Sequence, residues 1–242
     1  MSRMQPNLDQ LAALRRYQDE FETSIPLVDP DAPVASCGDW RVRELVHHLA
    51  AVHRWAGGLA AQQPTEPLPV EGFALRSGYA SEAARLRAIF RRLDPDTVTQ
   101  TLLDDPAPAG EWAGTVRFWH RRQALETLVH LWDLRTAAGL PFEPGSEAWH
   151  DCLDEVVTVM HPRQLRLGRI RPPLGRVRFV AVDAPADYLL QGSPGGVETV
   201  VTGAIRSLAL LAWGRLDAAD PSLAISGDTD GLAEVLAAGL TP

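Results

Sequence analysis

Residues 125–134, LETLVHLWDL, set Glu126 and His130 four positions apart in an otherwise apolar run. At about 100° per residue, positions i and i+4 lie one above the other on a helix face. Such a pair is a solvated surface pair, a buried hydrogen-bonded pair, or two ligands aimed at one metal ion. A second stretch, WRVRELVHHLAAVHRWAGGL at 40–59, offers a third group. Leu45, Leu49, Val52, Ala56 and Leu59 follow the spacing of a core stripe, and His48 falls on it. His47 points about 100° away, towards solvent, and His53 sits at the stripe's edge. Trp119, Glu126, Val129, His130 and Ala137 share one face of the later stretch, flanked by Phe118 and Leu125. His48, Glu126 and His130 therefore all point inward. Two neutral imidazoles and a carboxylate match the catalytic zinc set, with a fourth position left to water or substrate. A hydrogen-bonded polar core uses the same residues, and geometry alone leaves both readings open.

Two helices must carry these groups side by side. Residues 7–22 place Leu8, Leu11, Leu14, Tyr17 and Phe21 at helical spacing, with Asn7 as N-cap. The second helix spans 40–60, with Asp39 as its cap. Residues 62–72 are rich in Pro and Gly and read as a loop. A third amphipathic helix covers 80–93, and 94–114 is a long loop that adds a short strand. The fourth helix spans 115–138. Four such helices with one long crossover predict a bundle. Another helix follows at 146–160. Alternation and β-branched content then predict strands at 175–183, 187–191, 197–203 and 222–228, with helices at 204–216 and 229–240. The fold class is thus α+β, with an all-helical domain over 1–150 and a small α+β domain over 151–242.

The bulk numbers bound the function. Hydrophobic residues make up 45% of the 242 and charged ones 22%, which suits a soluble globular protein. A formal charge of −8, with arginines scattered among acids, argues against nucleic acid or a membrane surface as partner. Two cysteines, Cys37 and Cys152, are too few for a disulfide framework and fit a reducing cytosol. The N-terminus has no apolar signal segment, so a cytoplasmic location is expected. Both cysteines are expected to be structural, and Trp55, Trp119 and Trp132 to be core. Arg215, in WGRL, is the candidate catalytic cation, because arginine captures a carboxylate in a bidentate manner. No nucleotide, kinase or serine-hydrolase signature is present.

GDWRVRELVHHLAAVHRW and RRQALETLVHLWDL resemble the paired motifs of the mycothiol-dependent maleylpyruvate isomerase family. VTGAIRSLALLAWGRLDAADPSLAISGDTDGLAEVL resembles that family's C-terminal domain. The resemblance implies a DinB-like metal-binding four-helix bundle for the first domain. It places the family's zinc ligands on His48, Glu126 and His130. Leu125 stands where family members often have His, and Leu131 where they often have Arg.

The same resemblance implies a zinc-dependent enzyme using mycothiol or another small thiol on an electrophilic small molecule, by isomerisation or transfer. A hydrolase using metal-bound water, or a non-catalytic metal or ligand sensor, would use the same pocket. His53, Trp119 and Gln123 are expected to support the ligands or to line the pocket. A monomer or homodimer is expected.

Overall fold

The computed structural model describes residues 9–105, 107, 111–193 and 195–242. Its first unit is a bundle of four helices: α1 (Gln10–Ser24), α2 (Val42–Ala60), α3 (Leu75–Arg92) and α4 (Val116–Ala137). α1 packs on α4 and α3, and α2 packs on α3 and α4. Their shared interior holds Leu14, Phe21, Leu45, Leu49, Leu86, Phe90, Leu125 and Leu128, all essentially removed from water. Each such side chain contributes about 1.5–3 kcal/mol of burial.

The helix ends differ in detail from the sequence reading. Asp9 caps α1, its Oδ1 accepting from the amides of Leu11 and Ala12 at 3.1 Å each; Asn7 lies outside the described residues. Asp39 does not cap α2. Arg41 stands at that boundary, and Glu44 Oε2 accepts its backbone N–H at 2.9 Å, half of a capping box. α3 begins at Leu75 rather than 80 because Gly78 serves the helix instead of ending it. A Cβ at Gly78 would meet the Phe73 ring at 2.5 Å. The short strand expected in 94–114 is a single antiparallel bridge between Val98 and Thr115.

The second unit opens with α5 (Ser146–Glu155), a π-helical turn (Val156–Met160) and α6 (His161–Arg166). The helix predicted to end at 160 therefore continues through Pro162. Proline has no N–H to give an i−4 carbonyl, and a π turn just ahead accommodates that loss. Four strands follow: β1 (Arg176–Ala181), β2 (Asp187–Leu190), β3 (Glu198–Gly203) and β4 (Leu223–Ser226). They form one sheet in the order β2-β1-β3-β4, with β1 and β3 parallel and the other pairs antiparallel. Thr199, Val201 and Gly203 are the buried alternate positions of β3. α7 (Ile205–Ala212) packs on β1 and β3, and α8 (Thr229–Ala238) follows β4. The helical unit ends at Glu143 and the second unit takes in Pro144–Pro242, with α5 packed on α7. Among the described residues, no helix is long and apolar enough to cross a membrane.

Candidate metal centre

His48 is on α2, and Glu126 and His130 are successive turns of α4. Glu126 Oε1 lies 3.5 Å from His48 Nε2 and 3.4 Å from His130 Nε2. The three donor atoms all fall within 4.8 Å of one another. The two imidazoles meet edge to face, with ring centroids 5.1 Å apart. The Glu–His separations exceed the usual N–H···O length of about 2.9–3.0 Å. They match the edge of a tetrahedron with ligands at about 2.0–2.1 Å from its centre, which is about 3.3–3.4 Å. The donor set thus fits a divalent ion better than a directly hydrogen-bonded triad.

The surroundings fix each donor. Asp133 is one turn beyond His130 and almost fully buried. Its Oδ2 accepts from His130 Nδ1 at 2.9 Å. A carboxylate only accepts, so the hydrogen sits on Nδ1 and Nε2 offers its lone pair to the centre. Ser36 Oγ donates to Asp133 Oδ1 at 2.5 Å, and Cys37 Sγ donates to Oδ2 at 3.5 Å. Cys37 is half-buried, and its Sγ also forms a second candidate donor group with His130 and Asp133. Cys152 is fully buried in the second unit. Glu126 Oε2 accepts from the buried guanidinium of Arg122, one turn earlier on α4. Without that cation, removing the carboxylate from water would cost several kcal/mol. His48 is the outermost donor, with a third of its side chain exposed (35%), and its ring lies against Trp40 with centroids 4.7 Å apart and the planes tilted by 53°.

The other expected residues separate into two groups. His53 is fully buried, with Nδ1 donating to Gln123 Oε1 at 2.7 Å and Nε2 accepting from Gln18 Nε2 at 3.1 Å. Gln18 in turn accepts from Arg87 at 2.8 Å. Burial holds the His53 imidazole neutral and lowers its pKa to about 4. Gln123 Nε2 finds no hydrogen-bond partner among the described residues. Trp119 is buried, and its Nε1 donates to the Gln100 carbonyl at 2.9 Å. Trp55 departs from the core expectation, with 43% of its surface exposed. His47 is half-buried rather than free in solvent, its Nε2 within 3.2 Å of the Leu68 and Pro69 carbonyls. Arg215 lies in the second unit, with Nη1 donating to the Trp213 carbonyl at 2.8 Å and its guanidinium 6.0 Å from the Trp213 ring.

Sequence reasoning assigned no role to Arg122 or Asp133. The signal was present in their spacing, since Arg122 precedes Glu126 by four residues and Asp133 follows His130 by three.

The arrangement can be set beside known proteins. The sequence model of the mycothiol maleylpyruvate isomerase N-terminal domain matches residues 11–135, which include all three donors. Two uncharacterised proteins of Mycobacterium tuberculosis, from strains H37Rv and CDC 1551, are each 30% identical over 134 residues, 54% of this chain and 69% of theirs. The crystal structure of the mycothiol-dependent maleylpyruvate isomerase superimposes with a TM-score of 0.64 at 16% identity, covering 90% of this chain and 92% of that one. A histidine-to-alanine variant of that enzyme gives 0.63 at 15% identity over the same shares. These two likenesses establish the α+β fold. With more than half of its length matched by the family's sequence model, the chain belongs to the mycothiol maleylpyruvate isomerase family.

Proposed function

We propose that the protein is a divalent-metal enzyme that activates a small thiol, mycothiol for preference, against an electrophilic small molecule. The observation that carries this reading is the donor group of His48, Glu126 and His130, whose two Glu–His separations are close to the edge of a metal-centred tetrahedron. Zinc is the ion this set favours, with three protein ligands and one open position. A bound ion supplies Lewis acidity that keeps a coordinated thiol deprotonated at neutral pH. The chain's own residues prepare that chemistry. Asp133 holds His130 in the tautomer whose Nε2 is free to coordinate. Arg122 neutralises the half of Glu126 that is turned away from the histidines. Addition of the thiol followed by its release gives isomerisation, and retention gives transfer. Membership of a family named for a mycothiol-dependent isomerase favours the first outcome. Arg215 is assigned as the anchor for a substrate carboxylate, on the strength of its planar bidentate chemistry.

Metal analysis of the purified chain, followed by turnover of a cis-unsaturated keto acid with and without mycothiol, tests the reading. One equivalent of zinc and strictly thiol-dependent isomerisation are expected. Turnover that proceeds equally without thiol would transfer the assignment to hydrolysis or hydration by metal-activated water.

A further inference from the structure

The donor set sits in the seam between α2 and α4, and of its donors His48 is the one that reaches solvent. The two helices run antiparallel: His48 lies opposite Glu126 and His130, while Trp55 lies opposite Trp119, with ring centroids 5.2 Å apart. Beyond His130, Ser36 and Cys37 bond to Asp133, and the Trp40 ring lies against His48. In the other direction α2 presents Ala51 and Val52, small and only half-buried, and then Trp55. Trp55 follows His48 by seven residues, two turns, so it stands on the same face about 10.5 Å along the axis. Long helical side chains lean towards the N-terminus, which brings the indole back towards His48. Past Trp55 the loop after α3 is tied to the end of α2 and to α4. Thr99 Oγ1 donates to the Leu59 carbonyl at 2.5 Å, Gln62 Nε2 to that of Val98 at 2.7 Å, and Trp119 Nε1 to that of Gln100. Val98 and Leu103 of this loop are themselves about half exposed.

A molecule held by its sulfur at the donors and laid along α2 past Ala51 and Val52 reaches a half-exposed indole. We propose that Trp55 is the stacking platform for the sugar ring of a glycosylated thiol and so sets thiol specificity, an inference that rests on the thiol reading above. An indole face receives the C–H face of a sugar by dispersion and burial, while the hydroxyls stay in water. Trp119 supports the platform edge-on and cannot itself receive the ring, because it is buried.

The test uses the full chain loaded with cobalt, whose sulfur-to-metal charge-transfer band reports thiol ligation without turnover. Mycothiol and the sugar-free N-acetylcysteine are titrated against the unsubstituted protein, Trp55→Ala and Trp55→Phe. Trp55→Ala should raise the half-saturating mycothiol concentration about tenfold and leave that of N-acetylcysteine within about twofold. Trp55→Phe should recover most of the loss. The N-acetylcysteine band in each variant also shows that the centre is intact. Equal weakening for both thiols, or no change for either, overturns the proposal. Absence of the band with both thiols in the unsubstituted protein overturns the thiol reading itself, and this inference with it.

Discussion

At the scale of single residues, the proposed centre rests on candidate donors held by neighbours outside the donor set, Asp133 on His130 and Arg122 on Glu126. His48→Ala or His130→Ala removes one of the three proposed ligands, and either variant should lose nearly all zinc after dialysis. Asp133→Asn keeps the shape beside His130 but no longer fixes its hydrogen on Nδ1. Loss of such a partner costs about 10–100-fold in metal affinity, so competition with a chromophoric chelator should show that weakening with unchanged stoichiometry. His53 makes a different prediction, about stability. The folded protein keeps it neutral down to about pH 4, while the unfolded chain takes up its proton near 6.5. Stability present above pH 6.5 is therefore lost as pH falls towards 4, at about 1.4 kcal/mol per pH unit from this residue. His120 and His161, whose pKa values burial also lowers, act in the same direction. Urea unfolding of the metal-free protein at pH 6.5 and pH 5 measures the slope. His53→Asn retains an amide donor for Gln123 and should flatten the slope by His53's share. An unchanged slope would show that His53 is already charged in the fold.

At the scale of elements, α2 joins the centre to the rest of the bundle by close packing near its C-terminal end. A Cβ at Gly57 would sit 3.0 Å from Ile89 Cδ1 on α3, and one at Gly58 would meet Thr65 Cγ2 at 2.4 Å and the Gln63 carbonyl at 2.9 Å. Gly58→Ala forces that loop backbone outward and should cost about 1–3 kcal/mol, seen as a lower melting temperature with metal content unchanged. Most of this frame was legible in the sequence. Helical periodicity placed α2 and α4 within two residues at each end, and put His48, Glu126 and His130 on facing stripes. What escaped was decided by contacts that periodicity does not encode. The third helix starts five residues before the predicted 80, running through Gly78 beneath the Phe73 ring, and the helix predicted to end at 160 goes on through Pro162 after a π turn. Trp55 reads as core because it lies on the inward face. Its exposure depends on small neighbours and on the loop beyond it.

At the scale of the whole molecule, the three candidate donors and the partners described for them, Arg122, Asp133, Ser36 and Cys37, come from the helical unit. Metal affinity should therefore be indifferent to substitutions in the sheet-containing unit. Turnover is not bound by that argument, and Arg215 is the residue on which to separate the two. A guanidinium holding a substrate carboxylate makes charge-assisted hydrogen bonds of about 1.5–3 kcal/mol, which is about 10–150-fold in binding. Arg215→Ala should keep one equivalent of zinc and the cobalt–thiolate band. KM for an anionic electrophile should rise by that factor, and the uncharged methyl ester of the same electrophile should be little affected. Arg215→Lys keeps the charge but not the planar fork, so it should fall between the two. The Trp213 carbonyl takes one of the guanidinium's hydrogen bonds, so a structural role would lower the melting temperature and slow both substrates alike. A KM that stays the same for acid and ester in a stable Arg215→Ala protein would remove Arg215 from the reaction and leave the metal centre as it stands.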